Sequence, residues 1–138
     1  MHPGERVFVC DAALGAPCEG ELLVSSQAFN ARYDLDLATG RFARPGHDLH
    51  GRSLQDRVFV FTVPKGGIAT SWALNALSVR GLAPKAILCD EVNPVVVQGA
   101  VLARITLMAG LPPTLRPMLQ DGMTVRLDPG SRRITIGR

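Results

Sequence analysis

The stretch Arg57-Val58-Phe59-Val60-Phe61-Thr62-Val63-Pro64-Lys65-Gly66-Gly67-Ile68-Ala69-Thr70-Ser71 decides the fold class. Its first seven residues are rich in β-branched and aromatic side chains, the make-up of a buried strand. Pro64 ends the run and Lys65-Gly66-Gly67 is a flexible turn. Ala69, Trp72, Ala73, Ala76 and Leu77 then recur at helical spacing, which predicts a helix from about 69 to 80 with that set on one face and Gly81 as its stop. Outward from this strand–turn–helix unit, Ala86 to Cys89 reads as a second strand. Pro94 opens a second helix that runs to about Met108, with Gly110 and Pro112-Pro113 behind it. On the N-terminal side, Glu5 to Cys10 and Gly20 to Ser25 are strand patterns separated by Gly15-Ala16-Pro17. Ser26 to Gln55 is loop-like, too long to be structureless, and Phe42 after Gly40 marks a small hairpin within it. At the other end, Met123 to Leu127 alternates as a half-exposed strand does, Asp128-Pro129-Gly130 turns, and Arg133 to Ile136 returns. The order is β-rich, then strand–helix–strand–helix, then a hairpin: an α+β, mixed domain, single over 1–138.

Composition narrows the function classes. In 138 residues, 46% hydrophobic and 20% charged, a real core is affordable and disorder is excluded. No apolar run approaches the roughly 18 residues of a transmembrane helix, and Met1 to Arg6 leads into a strand pattern and not a secretory signal; the reading is a cytoplasmic protein. The net charge of +3 comes almost wholly from arginine, Lys65 and Lys85 being the two lysines. These arginines are scattered, with Arg132-Arg133 the one adjacent pair, and no aromatic platform accompanies them, so nucleic acid is not an expected partner. Cys10, Cys18 and Cys89 are too few and too widely spaced for a zinc or iron–sulfur site, and their odd number argues against a disulfide framework. Cys89, after Ala86-Ile87-Leu88, is a buried strand residue.

Three places have the residue types for chemistry. At the strand-to-helix junction, Gly66 and Gly67 allow close backbone approach. The free N–H groups of a helix start favour an anion, and Lys65, Thr70 and Ser71 add a cation and two hydroxyls. The alternative is a tight turn with a Thr or Ser helix cap. In Asn30-Ala31-Arg32-Tyr33-Asp34, an amide, a fork-shaped cation and a carboxylate stand together, either for a carboxylate ligand or as a polar turn. Asn93-Pro94 with Gln98 reads foremost as an N-cap before a first-turn proline. His2, His47 and His50 show no pairing with a nucleophile and an acid.

Several runs carry a resemblance. They are Gly20-Glu21-Leu22-Leu23-Val24-Ser25, Asp36-Leu37-Ala38-Thr39-Gly40, His47-Asp48-Leu49-His50-Gly51, Arg80-Gly81-Leu82-Ala83-Pro84-Lys85-Ala86-Ile87, Asn93-Pro94-Val95-Val96-Val97-Gln98-Gly99-Ala100 and Asp121-Gly122-Met123-Thr124-Val125-Arg126-Leu127-Asp128. In this order, from about 20 to 138, the sequence resembles the small subunit, or swivel domain, of the aconitase X family. The resemblance implies a swivelling β/β/α domain as in the aconitase mobile domain, closing over a large subunit that carries an iron–sulfur cluster or iron. No cofactor is then bound by this chain alone. Family members are hydro-lyases: archaeal ones dehydrate mevalonate 5-phosphate, bacterial ones cis-3-hydroxy-L-proline to pyrroline-2-carboxylate. The family's serine base falls on Ser71 when counted back from the Arg80 run, with Thr70 the nearest alternative. Lys65, Gly66, Gly67, Thr70, Asn30 and Arg32 are then the groups for the substrate carboxylate.

The turn here is shorter than the archaeal-type serine-rich turn and lacks its arginine. The segment at Asn30 differs from the archaeal-type Phe-Trp-Gly-Gly. Both features resemble the bacterial members, so the substrate implied is cis-3-hydroxy-L-proline, with mevalonate 5-phosphate second. A stand-alone swivel domain that binds a carboxylate or a partner protein is the non-enzymatic alternative.

Overall fold

Val58, Phe59, Val60 and Phe61 alternate between two faces, and each is at most 1% exposed, so both faces are covered. The structure, a computed structural model, describes residues 4–137. In chain order its elements are β1 (Arg6–Val9), β2 (Ala12–Leu14), β3 (Cys18–Val24), α1 (Ala31–Asp34), β4 (Leu35–Asp36), β5 (Arg41–Phe42), β6 (Val58–Phe61), α2 (Ala69–Val79), β7 (Ala86–Cys89), α3 (Pro94–Ala103), β8 (Thr106–Ala109), β9 (Thr124–Asp128) and β10 (Arg133–Ile136). The main sheet runs β1-β10-β9-β3-β6-β7-β8-β2, and β4 pairs with β5 in a small hairpin. Strands β3, β6, β7 and β8 are parallel, while β1, β10 and β9 join antiparallel. Strand β3 serves two partners: Cys18 to Glu21 pair with β9, and Leu22 to Val24 pair with β6.

This division makes two cores. On one face Leu23, Phe59, Phe61, Ile87, Cys89 and Leu107 pack under α2 and α3. On the other, Leu22, Val58, Val60, Leu88 and Met108 meet Leu111, Leu115 and the inward residues of β9 and β10. Four of the five phenylalanines, Phe29, Phe42, Phe59 and Phe61, form one aromatic cluster with centroids 4.9–6.3 Å apart. Burial of each such ring contributes about 2–3 kcal/mol. Segment 26–55 is tied down by this cluster: Phe29, Leu35, Phe42, Leu49 and Leu54 all insert into the helix-side core.

Three sequence expectations need correction. The second helix stops at Ala103, and Thr106 to Ala109 is a fourth parallel strand, not helix. Arg104 makes the exit in the left-handed region (φ 59°, ψ 40°) without the glycine that would announce it. The apolar run after it fits either period. Trp72 does not join the buried face of α2. That face is Thr70, Ser71, Ala73, Leu74 and Leu77, and Trp72 is turned to solvent. Strand β2, an edge strand on β8, lies in a segment too short to show a pattern.

Candidate functional site

The parallel strands all end at one edge of the sheet, where open α/β sheets place their ligands. There β3 and β6 continue side by side as irregular chain. Ser25 N donates to Val60 O (2.8 Å), Phe29 N to Val63 O (3.0 Å) and Lys65 N to Phe29 O (2.8 Å). This rung-by-rung pairing brings Asn30 against Gly66. Gly66 has φ +91°, and a Cβ there would stand 3.3 Å from both Nδ2 and Oδ1 of Asn30, so glycine is needed for the conformation and for the approach.

Helix α2 begins without a side-chain cap. Its N-cap is Ile68, and Thr70 Oγ1 donates instead to Lys65 O at 3.4 Å. The predicted Thr or Ser cap is therefore not how this helix starts. Among the described residues the amides of Gly67, Ile68 and Ala69 have no hydrogen-bond acceptor, which leaves the positive end of the helix unsatisfied. These residues line a cleft of about 300 Å³ together with Asn30, Arg32, Gly66 and Thr70. Arg32 is exposed, its guanidinium carbon 5.6 Å from the Tyr33 ring centroid. Arginine and helix amides together suit a carboxylate.

Asn30 is held in place twice. Its Oδ1 accepts from Arg32 N (3.1 Å) and its own N–H donates to Asp34 Oδ2 (2.9 Å), so it caps α1. Asp34 is buried and receives Arg44 Nε at 2.7 Å. The polar-turn reading of this segment thus holds for Asn30 and Asp34, and Arg32 is left free to face the cleft. Lys65 lies next door, in a depression of about 450 Å³ shared with Gln27, Asn30, Asp34 and Arg44.

Ser71 follows Thr70 by one residue, about 100° around the helix, and opens elsewhere. It lines a groove of about 260 Å³ between α2 and α3 with Ile68, Trp72, Asn75, Gln98 and Leu102. Among the described residues its hydroxyl has no hydrogen-bond partner. Gly99 of α3 lies directly against it: a Cβ on Gly99 would be 3.0 Å from Ser71 Cα. The fold therefore brings Asn30, Arg32, Gly66, Gly67 and Thr70 into one cleft, Lys65 beside it, and Ser71 to the far side of Ile68, which borders both spaces. Asn93 caps α3 through Val96 N at 2.9 Å, as its place before Pro94 predicts.

Sequence reasoning missed a polar cluster behind the cleft. Asp48 accepts from Ser25 Oγ (2.9 Å), Ser26 N (2.9 Å) and Ser26 Oγ (3.0 Å). Burial alone would raise its pKa, but these hydrogen bonds and the neighbouring His47 hold it below the usual carboxylate value. His47 is buried and stacked on Phe42 at 4.6 Å. Its Nδ1 accepts from Leu49 N at 3.0 Å, which assigns the proton to Nε2; among the described residues that atom has no partner, with Asp34 Oδ2 3.7 Å away. Burial pushes the imidazole pKa down, against the pull of Asp34 and Asp48. Ser25 donates to a carboxylate and not to the imidazole, so the group is a structural clamp and not a serine–histidine relay. The pairing joins residues 23 apart in sequence, with α1 and the β4–β5 hairpin between them, and no spacing rule reaches that far.

Cys10 and Cys89 are buried, Cys18 half-buried. Burial raises all three thiol pKa values, that of Cys89 to about 12. Among the described residues no three His, Cys, Asp or Glu side chains gather as a metal would require. No described helix is long and apolar enough to cross a membrane.

Comparison with known proteins agrees with this architecture. The aconitase X swivel domain matches residues 7–136. The phosphomevalonate dehydratase small subunit of Pyrococcus abyssi is 35% identical over 118 residues, 86% of this chain and 88% of that protein. That of Methanopyrus kandleri is 36% identical over 116 residues, 84% and 86% respectively. In three dimensions the chain is similar to the crystal structure of Thermococcus kodakaraensis aconitase X in its holo form, with a TM-score of 0.89 at 28% identity, covering 96% of this chain and 99% of that one. It is also similar to the solution structure of a UPF0107 protein, with a TM-score of 0.88 at 25% identity, covering 96% and 100%. Mixed sheet, helix pair and matched length together make this chain a member of the aconitase X swivel domain family.

Proposed function

We propose that the chain is the small subunit of a cytoplasmic aconitase X-type hydro-lyase that dehydrates a small hydroxy acid, with cis-3-hydroxy-L-proline as the substrate. The observation that carries this reading is the uncapped start of α2. Unsatisfied amides stand there beside Arg32 in a cleft of about 300 Å³, a receptor for a single carboxylate. Lys65 adds a second cation at the margin. Ser71, across Ile68 from this cleft, is the base that takes the proton α to the carboxylate, so the bound substrate must extend past Ile68 toward the groove. The bonding pair left behind forms the double bond as the C–O bond breaks, and the hydroxide that departs takes up a proton to leave as water. Ser71 returns to its starting form once the proton it removed is given back. An alkoxide is a weakly populated form of serine, and the first turn of α2 supplies the positive potential that favours it. The iron centre that the family resemblance implies is assigned to a large subunit.

Mevalonate 5-phosphate is the second reading, favoured by the relatives at 35% and 36% identity that are named phosphomevalonate dehydratase small subunits. The test is to combine the purified chain with an aconitase X large subunit from the same genome and to assay both hydroxy acids. Turnover of cis-3-hydroxy-L-proline that needs both subunits, and that falls by at least about 10³-fold in Ser71→Ala, is the expected result. Activity within a few-fold of wild type in Ser71→Ala removes Ser71 from the role, and the same loss in Thr70→Val alone transfers it to Thr70. Dehydration of mevalonate 5-phosphate alone overturns the substrate.

A further inference from the structure

The outer face of the helix pair has no ordinary solvent-facing chemistry. The 11 residues of α2 and the 10 of α3 include no charged side chain, in a protein that is 20% charged overall. A helix face in water is normally charged. Instead Ile68, Trp72 and Val79 of the α2 side and Val101 and Leu102 of α3 are between 57% and 79% exposed. Ile68, Trp72, Asn75 and Val79 follow one another at helical spacing, and the groove of about 260 Å³ joins that stripe to Gln98 and Leu102. These five apolar side chains leave on the order of 500 Å² in water. That is at the upper end of what a free monomer carries, and it equals the apolar share of the ~800 Å² that each partner gives to a standard interface.

We infer that this α2–α3 face is the docking surface for the large subunit, which seats an apolar, uncharged surface on Trp72 and Leu102 and closes the groove over Ser71. The inference rests on the proposed function. The occupant follows from the position of Ser71. It opens into the docking groove and not into the carboxylate-receptive cleft, so whatever covers the face must bring the rest of the reacting centre to the hydroxyl. Trp72, a large exposed aromatic lining the groove, has the character of an interface anchor.

The test measures association of the purified chain with the large subunit by titration calorimetry and sedimentation. Trp72→Glu and Leu102→Glu are expected to weaken the complex by at least about 100-fold. Val9→Glu, a like change at an exposed site on β1, should leave it unchanged, and thermal melting should show all three folded. Trp72→Ala, which introduces no charge, should weaken the complex by at least about 30-fold and keeps the test valid should the charged variants not fold. Equal affinity of wild type and the α2–α3 variants overturns the inference and leaves the proposed function standing. Failure of the wild type to bind the large subunit overturns both. Self-association of the chain through this face that persists beside the large subunit overturns the inference as well.

Discussion

Gly99→Ala sets two known effects against each other at the point where α2 and α3 touch. In a helix interior alanine is better than glycine by about 1 kcal/mol, so on helix propensity alone the change stabilises. In this fold the new Cβ meets Ser71 Cα at 3.0 Å, Leu74 Cδ1 at 3.1 Å and Ser71 Cβ at 3.5 Å. The leucine tip can turn away, but the Ser71 backbone cannot. The helices must separate by several tenths of an ångström to restore van der Waals distance. Ala73, Leu74, Val96 and Ala100 pack within the same core. Overpacking of this kind costs about 1–3 kcal/mol, so the helix gain is cancelled and the net loss reaches about 2 kcal/mol at most. That corresponds to a fall in Tm of up to roughly 8 °C for a domain of this size. The displaced residue is the one assigned as base, so turnover of the assembled enzyme should drop further than the stability loss explains, by about tenfold for a shift of several tenths of an ångström. Urea and thermal melts of the isolated chain read the first effect, and single-turnover assay of the complex reads the second. A variant more stable than wild type by the full propensity gain, with unchanged turnover, would refute the close packing at Ser71.

The remaining outcomes probe charge, acid and thiol. Arg32→Gln should raise KM for the carboxylate substrate by about tenfold while stability changes by less than about 1 kcal/mol, since its guanidinium is solvent-facing and stacked only on Tyr33; an unchanged KM removes Arg32 from substrate binding. His47 has its pKa lowered by burial, so the unfolded chain binds this proton at higher pH than the folded one. Its contribution is complete above pH ~6.5 and is lost as pH falls below that value. Urea melts between pH 7.5 and 5 should show this fall in wild type and a flatter profile in His47→Gln; Asp48 and Asp121, whose pKa values are depressed, act only below their ordinary 3.8. Native protein at pH 8 should present Cys18 to a disulfide reagent well before Cys10 and Cys89, because those two are buried; mass mapping that finds Cys89 labelled as fast as Cys18 contradicts its burial.

Legibility followed how local each determinant is. Val58 to Phe61 and Ala86 to Cys89 could be read directly, because a strand buried on both faces needs an unbroken apolar run. Asn93 before Pro94 announced a cap that the geometry bears out. The hairpin at Phe42 was visible through Gly40. By contrast, the turn from α3 into β8 depends on Arg104 adopting a conformation that no residue type there demands, and the strand pattern of Thr106 to Ala109 was absorbed into the preceding helix. Trp72 was misplaced because a large apolar residue at helical spacing is ordinarily read as core, whereas an interface residue has the same composition. At the site, Gly66, Gly67 and Arg32 were identifiable by chemistry alone. Asp34 was also named there as a carboxylate, but its partners Arg44 and His47 were not, because they meet it only through the folding of segment 26–55 onto the aromatic cluster.

Apolar alternation, turn residues and ordered family runs, all properties of the chain read in one dimension, were enough to specify a mixed β/α swivel domain and its glycine turn. The tertiary structure alone decided that Thr70 and Ser71, adjacent in sequence, open into different spaces. The helix turns about 100° per residue, and α3 is packed against α2 through Gly99. It likewise decided that an uncharged pair of helices covers the sheet with one side and leaves the other bare. Which face of a helix is buried is set by what packs on it, and the composition of α2 and α3 is apolar on both.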